Sequence, residues 1–435
     1  MKTLMRGAAI TLLFAGACGA QAPVQDTVLD PTFGGDGRAV AEFDVGGIRG
    51  DVILEARTDG RGGYWTVGRA FVTSTRSILA IAHFDRAGNL LGKATRPEFE
   101  YRSDDSGRIY ELQDTTVDAD GLLLLSIINC TGPAISQCGS FLVRVTADAS
   151  PDVRWGGTGT VVSAAGVFYG GVHAANDGRV WASRGDRLDF YSATGTFVGF
   201  AGGRATTFAR VNDTTVLGLT GSGSTAAVLR RFDASGTQDL TYGGDGTREL
   251  GSGSTPQQCN AAGSDFVPRE LSVLADGRIA VLGYVQDAST AVLQSYLVGV
   301  GASGASGPVA CLAVLPADGA RASGMALRSD GRVFVTLDTA PTGSSQFAAG
   351  MALSAMRLQP DGSIVPDPGF NSGQTFAIEV PRTDGGVPRA FATQVLVDEG
   401  AVVVFGGGEV ANTSNDFTVA RLLGDLRLFH NGFED

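Results

Sequence analysis

The chain has 435 residues, of which 63 are Gly, and its 33 Lys and Arg residues against 45 Asp and Glu residues give a formal charge of −12. Charged residues make up 18% and hydrophobic residues 43% of the chain. This composition excludes a disordered protein, since it provides enough apolar material for a large packed core. The net acidity excludes nucleic-acid binding, because no basic stripe is present to displace phosphate counterions.

The N-terminus has the order of segments that is typical of a secretory signal peptide. Lys2 and Arg6 precede an apolar stretch over 7–17, and small residues continue to Ala20. We predict a signal peptide over 1–20, cleaved after Ala20, and a short linker over 21–28. Losing Lys2 and Arg6 takes the formal charge from −12 to −14. No later segment is long and apolar enough to span a bilayer, so the sequence predicts an exported protein, secreted or at the cell surface, with a periplasmic protein as the alternative.

The cysteines fit an exported protein. Cys18 is a candidate lipidation site, because Ala15–Ala17 resembles a poor lipobox, and a lipoprotein is the alternative to free secretion. The other four cysteines form an even set, as expected of disulfides in an oxidising compartment. We predict that Cys130 pairs with Cys138 and that Cys259 pairs with Cys311. A zinc site is disfavoured, since the chain has no CxxC and only three His.

A phrase that combines Asp, an aromatic residue and a Gly-rich turn recurs along the chain. It occurs at 29–38 and 239–247, and in weaker form at 152–159 and 367–373. We expect the aromatic residue to fill the space between neighbouring units and the glycines to supply positive φ in a tight connection.

A second repeated element is an Asp-Gly or Glu-Gly turn between two apolar strands. Its glycines are Gly60, Gly121, Gly178, Gly277, Gly331 and Gly400, and a degenerate copy falls at 211–214. Asp-Gly between alternating runs predicts a hairpin with a type I′ turn, in which both central residues have positive φ. A third element, one more strand with its turn, occurs at 81–85, 228–233 and 356–362.

These elements predict about seven units of four short strands each within a repeat domain over 29–426. The fold class is therefore all-β, and a β-propeller is favoured, because radial repetition leaves only short, protected sheet edges. The alternative is another β-repeat or a solenoid. The strand Arg38–Phe43 is expected to close the ring by completing the last blade beside Phe417–Leu422.

The phrases at Leu29–Gly37, Asp276–Gly283 and Val419–Leu422 resemble the bacterial delta-60 repeat. The resemblance covers most of the chain after the signal peptide and is closest in the first, fourth and fifth units. Units two and three depart from it, with Trp155 at the aromatic position. The resemblance implies an exported protein with propeller-like repeats and no general enzymatic activity.

The C-terminal tail, 427–435, is a separate signal. Leu428–Asp435 resembles a Phe-x-x-Gly-Phe-Glu ending that many exported proteins of Gram-negative bacteria carry. The alternative is a last segment whose two Phe residues cover the end of a blade.

Catalytic signals are weak. His83, His173 and His430 have no carboxylates or further ligands at a workable spacing, so no catalytic, cofactor-binding or metal-binding residue is predicted. Calcium at Asp118–Asp120 is an alternative to a plain hairpin turn. The favoured function is a monomeric, non-enzymatic scaffold whose propeller face binds a protein or glycan. The other candidate is a glycoside-cleaving propeller enzyme with carboxylates from several blades in the central channel.

Overall fold

The computed structural model describes residues 29–46, 49–102, 108–131, 138–185, 187–222, 225–250, 266–286, 293–302, 310–311, 321–338, 351–370, 375–378, 390–398, 401–411 and 414–423. Two short strands come first, β1 (Arg38–Ala41) and β2 (Arg49–Gly50). Seven antiparallel sheets then follow one another along the chain. The described part contains no α-helix and one 3-10 turn at Tyr242–Gly244.

The first four sheets have four strands each. Blade 1 consists of β3 (Val52–Thr58), β4 (Tyr64–Thr73), β5 (Arg76–Phe84) and β6 (Leu90–Arg102). Blade 2 consists of β7 (Arg108–Val117), β8 (Leu123–Thr131), β9 (Cys138–Val145) and β10 (Thr160–Val162). Blade 3 consists of β11 (Val172–Ala174), β12 (Val180–Arg184), β13 (Arg187–Tyr191) and β14 (Phe197–Gly202). Blade 4 consists of β15 (Thr207–Asn212), β16 (Thr215–Ser222), β17 (Thr225–Asp233) and β18 (Arg248–Leu250).

The remaining sheets complete the ring. Blade 5 consists of β19 (Phe266–Val273), β20 (Ile279–Gln286), β21 (Leu293–Val300) and β22 (Ala310–Cys311). Blade 6 consists of β23 (Arg321–Leu327), β24 (Arg332–Asp338) and β25 (Met351–Leu358), with β26 (Ile364–Pro366) and β27 (Phe376–Ile378) both paired to β25. Blade 7 consists of β28 (Ala390–Asp398), β29 (Ala401–Ala411) and β30 (Ser414–Leu422), and its fourth strand is β1.

The ring closes as the sequence predicts. β1 pairs antiparallel with β30, with Arg38 opposite Ala420 and Ala41 opposite Phe417, so the N-terminal strand completes the last blade. The first strand of each blade contacts the first strands of its neighbours, in the order β3, β7, β11, β15, β19, β23, β28 and back to β3. The protein is therefore a seven-bladed β-propeller, and its seven first strands surround the central axis.

The core is divided among the blade interfaces. Each of the seven buried apolar clusters lies between two neighbouring blades. Trp65, Leu79 and Tyr110 join blades 1 and 2, for example, and Trp181 and Phe232 join blades 3 and 4. Because each blade buries its faces only against its neighbours, closure of the ring completes the last of these interfaces.

The Asp-aromatic-Gly phrase precedes an outer strand in four blades, namely β10 in blade 2, β18 in blade 4, β27 in blade 6 and β1 in blade 7. Its Asp side chain accepts a hydrogen bond from the backbone N–H two residues later, in the pairs Asp30 with Thr32, Asp152 with Arg154, Asp239 with Thr241 and Asp367 with Gly369. The same Asp pairs with an Arg on the third strand, namely Arg421, Arg144, Arg231 and Arg357 respectively. The phrase therefore fastens the outer strand to its own blade.

The aromatic residue of the phrase packs against the next blade, as expected. Phe33 lies against Gly88 in the turn after β5, and the backbone N–H of Gly34 donates to Ala87 O at 2.7 Å. Trp155 lies in the same way against Gly195, in the turn after β13. A Cβ at Gly88 or Gly195 would come within 2.9 Å of the backbone N of Gly34 or Gly156 and to 3.1 Å from the ring, and both glycines have positive φ.

The type I′ prediction for the Asp-Gly turns is wrong. Only the glycines adopt positive φ, and the one other described residue that does so is Ala149, which lies in a different turn. In the turn after β7, the Gly121 N–H donates to Asp118 O and the Asp118 N–H donates to Leu122 O. The loop is thus longer than a two-residue hairpin, and its left-handed position falls on the glycine alone.

The predicted local disulfide is confirmed. Cys130 and Cys138 are bonded across the β8–β9 hairpin of blade 2. The second predicted pair includes Cys259, which lies outside the described residues, as do the predicted signal peptide with Cys18, the linker over 21–28 and the tail over 427–435.

Candidate functional site

A polar cavity of about 560 Å³ lies among the first strands of the blades, at the central axis. All seven blades contribute to its lining, from Glu55 in blade 1 to Gln394 and Leu396 in blade 7. Its volume falls within the range of roughly 300–1,000 Å³ that is usual for ligand sites. The central channel is thus lined by polar and charged groups and is not filled by apolar side chains.

Three acidic residues occupy equivalent positions in this lining. Glu55, Asp114 and Glu270 each follow a β-bulge in the first strand of their blade. Each lies seven residues before a positive-φ turn glycine, in the pairs Glu55 with Gly62, Asp114 with Gly121 and Glu270 with Gly277. A bulge redirects the side chain that follows it, and here it brings carboxyl groups from blades 1, 2 and 5 to one cavity.

Arg57 lies among these carboxylates. One guanidinium nitrogen is 3.0 Å from Glu55 Oε2, and another donates to Asp114 Oδ1 at 3.3 Å. Its Nε donates to Thr115 O at 3.0 Å. Burial opposes the charge of Arg57, but Glu55, Asp114 and Glu270 outweigh burial and raise the pKa of its guanidinium. Arg57 therefore stays charged and is shared by several carboxylates.

Asp114 and Glu270 also link neighbouring blades. Asp114 Oδ2 accepts from the backbone N–H of Val172 in blade 3 at 2.9 Å. Glu270 Oε2 accepts from the backbone N–H of Met325 in blade 6 at 2.5 Å. Each carboxyl thus satisfies a backbone donor of the next blade's first strand, which a buried N–H requires.

Burial shifts the pKa of both carboxyls upward. Desolvation raises the pKa of Asp114 to about 7, although Arg57 opposes the rise. Desolvation, together with the nearby charge of Glu55, raises the pKa of Glu270 to about 8. Both groups therefore change protonation in the neutral range, where the cavity carries less negative charge than its three carboxyls suggest.

His173 contributes a neutral imidazole to the same lining. It is buried in β11, with its ring 4.9 Å from Trp181 and 5.9 Å from Phe208. Burial, with Arg210 nearby, lowers the pKa of His173 to about 4. Its ring nitrogens have no hydrogen-bond partner among the residues that the structure describes. These nitrogens are not among the fully enclosed polar atoms that lack a partner, so the ring is open to the cavity, where a ligand or water can complete it.

The other histidines and the candidate calcium turn lie elsewhere. His83 Nε2 is 3.0 Å from Asp59 Oδ2, and its ring stacks on Trp65 with 3.9 Å between the centroids. The expectation that no carboxylate neighbours His83 is therefore wrong, because a turn and the third strand meet across 24 residues of sequence. His83 Nδ1 also contacts Ala147 O of blade 2, so the pair joins two blades. His430 lies outside the described residues.

At the predicted calcium turn, Asp118 Oδ1 accepts from the backbone N–H groups of Asp120 and Leu122. Its other oxygen lies 3.6 Å from Arg144. These contacts suit a hairpin turn. Within the described ranges, no group of three or more His, Cys, Asp or Glu side chains is arranged to hold a metal ion.

Nothing in the described part of the chain forms a helix long and apolar enough for a membrane crossing. No protein-family model matches the chain, and no curated protein matches its sequence.

Several solved structures are similar to the chain at low sequence identity. A protein of unknown function from Dyadobacter fermentans is 10% identical, covers 88% of this chain and 97% of that chain, and has a TM-score of 0.44. The β-propeller domain of the trilobed protease from Pyrococcus furiosus, described as having an open velcro topology, is 11% identical over 88% of this chain and 99% of that chain, with a TM-score of 0.39. A protein of unknown function from Bacteroides caccae is 9% identical over 74% and 94%, with a TM-score of 0.37. These similarities concern the fold alone.

Proposed function

We propose that this chain is an exported, non-enzymatic binding protein whose central cavity takes a polyhydroxylated ligand, such as the terminal unit of a glycan. The observation that carries the proposal is the convergence of Glu55, Arg57 and His173 on one cavity of about 560 Å³. Glu55 and Arg57 are half-buried, so part of each remains accessible to a ligand.

The chemistry of the lining favours hydroxyl groups over ions. Carboxylates accept hydrogen bonds, guanidinium groups donate them, and a neutral imidazole does both. A hydroxyl group can satisfy all three, since it is both donor and acceptor. A cationic ligand would compete with Arg57, and an anionic ligand would meet Glu55. Phe208, which also lines the cavity, offers an apolar surface for the C–H face of a sugar ring.

A glycoside-cleaving enzyme is the second candidate. The raised pKa values of Asp114 and Glu270 favour it, because a general acid must hold a proton near neutral pH. Both oxygens of Asp114 accept from backbone N–H groups, however, with Thr115 on Oδ1 and Val172 on Oδ2. A carboxyl that is held in this way is less able to reach a glycosidic oxygen. Binding is therefore the better-supported function.

A glycan microarray probed with the fluorescently labelled protein tests the proposal. We expect binding to a restricted set of glycans and a loss of about tenfold or more in the His173→Phe variant, since Phe keeps the ring packing but removes the hydrogen-bonding nitrogens. The unfolding midpoint of that variant should stay the same or rise, because a buried polar group without a partner is removed. Absence of any glycan binding, or full binding by His173→Phe, would contradict the proposal.

The array also separates the two candidate functions. Glycans that bind are incubated with the protein, and release of reducing sugar is measured. Intact glycans support the binding protein, and release that Glu270→Gln abolishes supports the hydrolase. Arg154→Ala is the matched control, since this exposed arginine lies outside the cavity and should change neither result.

We further propose that the chain is a delta-60 repeat protein exported through the signal peptide over 1–20. The position of the repeated phrase before an outer strand of blades 2, 4, 6 and 7 supports this assignment. Fractionation of cells that produce the native chain or Cys18→Ser tests its location. A soluble extracellular or periplasmic protein in both cases supports free export, and a membrane fraction that Cys18→Ser releases identifies a lipoprotein.

A further inference from the structure

The third strand of blade 4, β17, departs from its counterparts at one position. In blades 2, 6 and 7, the residue before the arginine that pairs with the phrase is apolar and buried, namely Val143, Met356 and Ala420. In blade 4 the arginine of the phrase is Arg231, and the residue before it is Arg230, which is only partly buried. An arginine therefore stands where the repeat otherwise packs an apolar side chain against the preceding blade.

The residue opposite Arg230 departs from the repeat as well. It is Gly218. The equivalent residues in blades 2, 6 and 7 are Leu125, Val333 and Val404, which are all buried. A Cβ at Gly218 would lie 2.7 Å from the Cβ of Ala205, so the glycine lets the connection between blades 3 and 4 approach closely. The Ala205 N–H donates to Ser183 Oγ at 2.8 Å, which fixes this connection. Arg204, the next residue, thereby lies near enough to Arg230 for the two charges to repel.

The two arginines form no ion pair within the described part of the chain. Burial lowers the pKa of the Arg230 guanidinium, and the charge of Arg204 lowers it further. One nitrogen of Arg230 donates to Thr220 Oγ1 at 2.6 Å, and the structure shows no other hydrogen bond from this side chain to a described residue. Arg204 is exposed. Because each guanidinium carries five N–H donors, most donors of this pair are available to a ligand.

We infer that Arg204 and Arg230 bind a tetrahedral oxyanion, a sulfate or phosphate group, where blades 3 and 4 meet. Guanidinium groups donate paired hydrogen bonds to such anions, and these bonds are stronger than bonds between neutral groups. An anion between the two arginines replaces their repulsion with attraction. In a chain with 45 Asp and Glu against 33 Lys and Arg, two neighbouring arginines without a carboxylate point to a ligand that neutralises them. Neither arginine lines the central cavity, so this site is separate from the one proposed above.

Equilibrium dialysis against radiolabelled sulfate and phosphate tests the inference. The anions are used at millimolar concentration and constant ionic strength, so that general salt effects are equal in all samples. We expect the native chain to bind one of the two anions or both, and Arg230→Met and Arg204→Met each to bind about tenfold more weakly. Met is chosen because blade 6 has Met356 at the position of Arg230. Arg204 is exposed, so its replacement tests the site without disturbing the blade interface.

The same oxyanion can be a free ion or an ester group on a sugar. Dialysis against glucose-6-sulfate, with glucose as its control, distinguishes these sources. Tighter binding of the ester than of inorganic sulfate assigns the site to a sulfated glycan, and equal or weaker binding assigns it to the free ion. The ester measurement rests on the proposed glycan binding and the inorganic measurement does not, so failure of the microarray and failure of this inference are distinguishable.

Arg154→Met is the matched control, because it removes the same charge from an exposed arginine that pairs with Asp152 in blade 2. We expect it to bind the anions like the native chain. In anion-free buffer, the unfolding midpoint of Arg230→Met should equal or exceed that of the native chain, since a partly buried charge is removed. Added sulfate should raise the midpoint of the native chain and leave that of Arg230→Met unchanged. A native chain that binds neither anion, native-like binding by Arg230→Met or Arg204→Met, or an equal loss in Arg154→Met overturns the inference.

Discussion

Asp114 and Asp152 lie in the same blade, and both are almost completely buried. Asp152 faces two arginines, Arg154 and Arg144, and the hydrogen bond from Arg154 is the largest reason that its pKa lies below the usual value. Asp114 shares one arginine, Arg57, with Glu55, and burial raises its pKa to about 7. The carboxylate of the repeated phrase is thus neutralised within its own blade.

Asp152 belongs to the residues that stabilise the propeller, whereas Asp114 belongs to the residues that line the cavity. Four copies of the phrase place an Asp beside an Arg on the third strand of the same blade, and none of these residues lines the central cavity. The channel carboxyls come from blades 1, 2 and 5 and act together on the guanidinium of Arg57 beside open space. The charged residues of the repeated phrase therefore stabilise the fold. We locate binding at the charged residues of the channel, which occur in only some blades.

Removing the N-terminal part of the repeat has the largest expected effect. Deletion of 29–45 eliminates the first Asp-aromatic-Gly segment and β1, which removes the outer partner of β30 and exposes Phe417. We expect a sharp fall in the melting temperature, followed by circular dichroism. A chain that lacks only 21–28 is the control. An unchanged melting temperature of the deletion variant would contradict ring closure by β1.

Asp152→Asn should be the next most damaging change. It leaves the buried Arg144 beside a neutral amide, and breaking a buried ion pair costs about 3 kcal/mol or more of unfolding free energy. Urea unfolding at neutral pH measures the loss. A variant as stable as the native chain would show that the phrase does not stabilise its blade.

Glu270→Gln should increase the free energy of unfolding, and it should do so mainly at higher pH. The pKa of Glu270 is raised to about 8 in the folded protein, so its stabilising contribution is complete below its ordinary pKa of 4.5 and is lost as pH rises through 8. Gln mimics the protonated carboxyl. We expect a gain of less than about 1 kcal/mol at pH 5 and a gain of about 4 kcal/mol at pH 8 relative to the native chain.

The difference in unfolding free energy between the native chain and Glu270→Gln reports on Glu270 alone. The pKa of Asp114, raised to about 7, and that of His173, lowered to about 4, affect both proteins alike and cancel in the comparison. Urea unfolding at both pH values measures it. An equal effect of Glu270→Gln at pH 5 and pH 8 would contradict the raised pKa.

Arg154→Ala should have the smallest effect. Arg154 contacts the same Asp152 as Arg144 does, but its side chain is 64% exposed, and exposed ion pairs contribute little. Its unfolding midpoint in urea should match that of the native chain within error. A clear loss would indicate that the exposed contact of Arg154 contributes to stability as the buried contact of Arg144 does.

Local chemistry made much of the fold predictable from sequence. The Asp-Gly turns and the Asp-aromatic-Gly phrase depend on residues within a few positions of one another, and they located the blades and the closing strand at Arg38–Ala41. The disulfide between Cys130 and Cys138 was predictable for the same reason. The turn type was not, because the number of loop residues, and not the Asp-Gly pair alone, decides which positions need positive φ.

The channel site depends on contacts that sequence spacing does not reveal. Glu55, Asp114 and Glu270 are far apart in the chain, and only closure of the ring brings their blades to one axis. A signal was present, since each precedes a turn glycine by seven residues, but it becomes visible only after the blades are aligned. The contact of His83 with Asp59 was missed for a similar reason, because it joins a turn to a strand across a blade.

Glycan binding by Glu55→Gln, measured on the microarray beside Asp152→Asn, tests the central claim most directly. Glu55 is half-buried at the cavity, and Gln keeps its shape while it removes the charge. We predict that Glu55→Gln keeps the native unfolding midpoint and loses most glycan binding, whereas the folded fraction of Asp152→Asn binds like the native chain. Full binding by Glu55→Gln, or loss of binding by folded Asp152→Asn, would contradict the assignment of function to the channel.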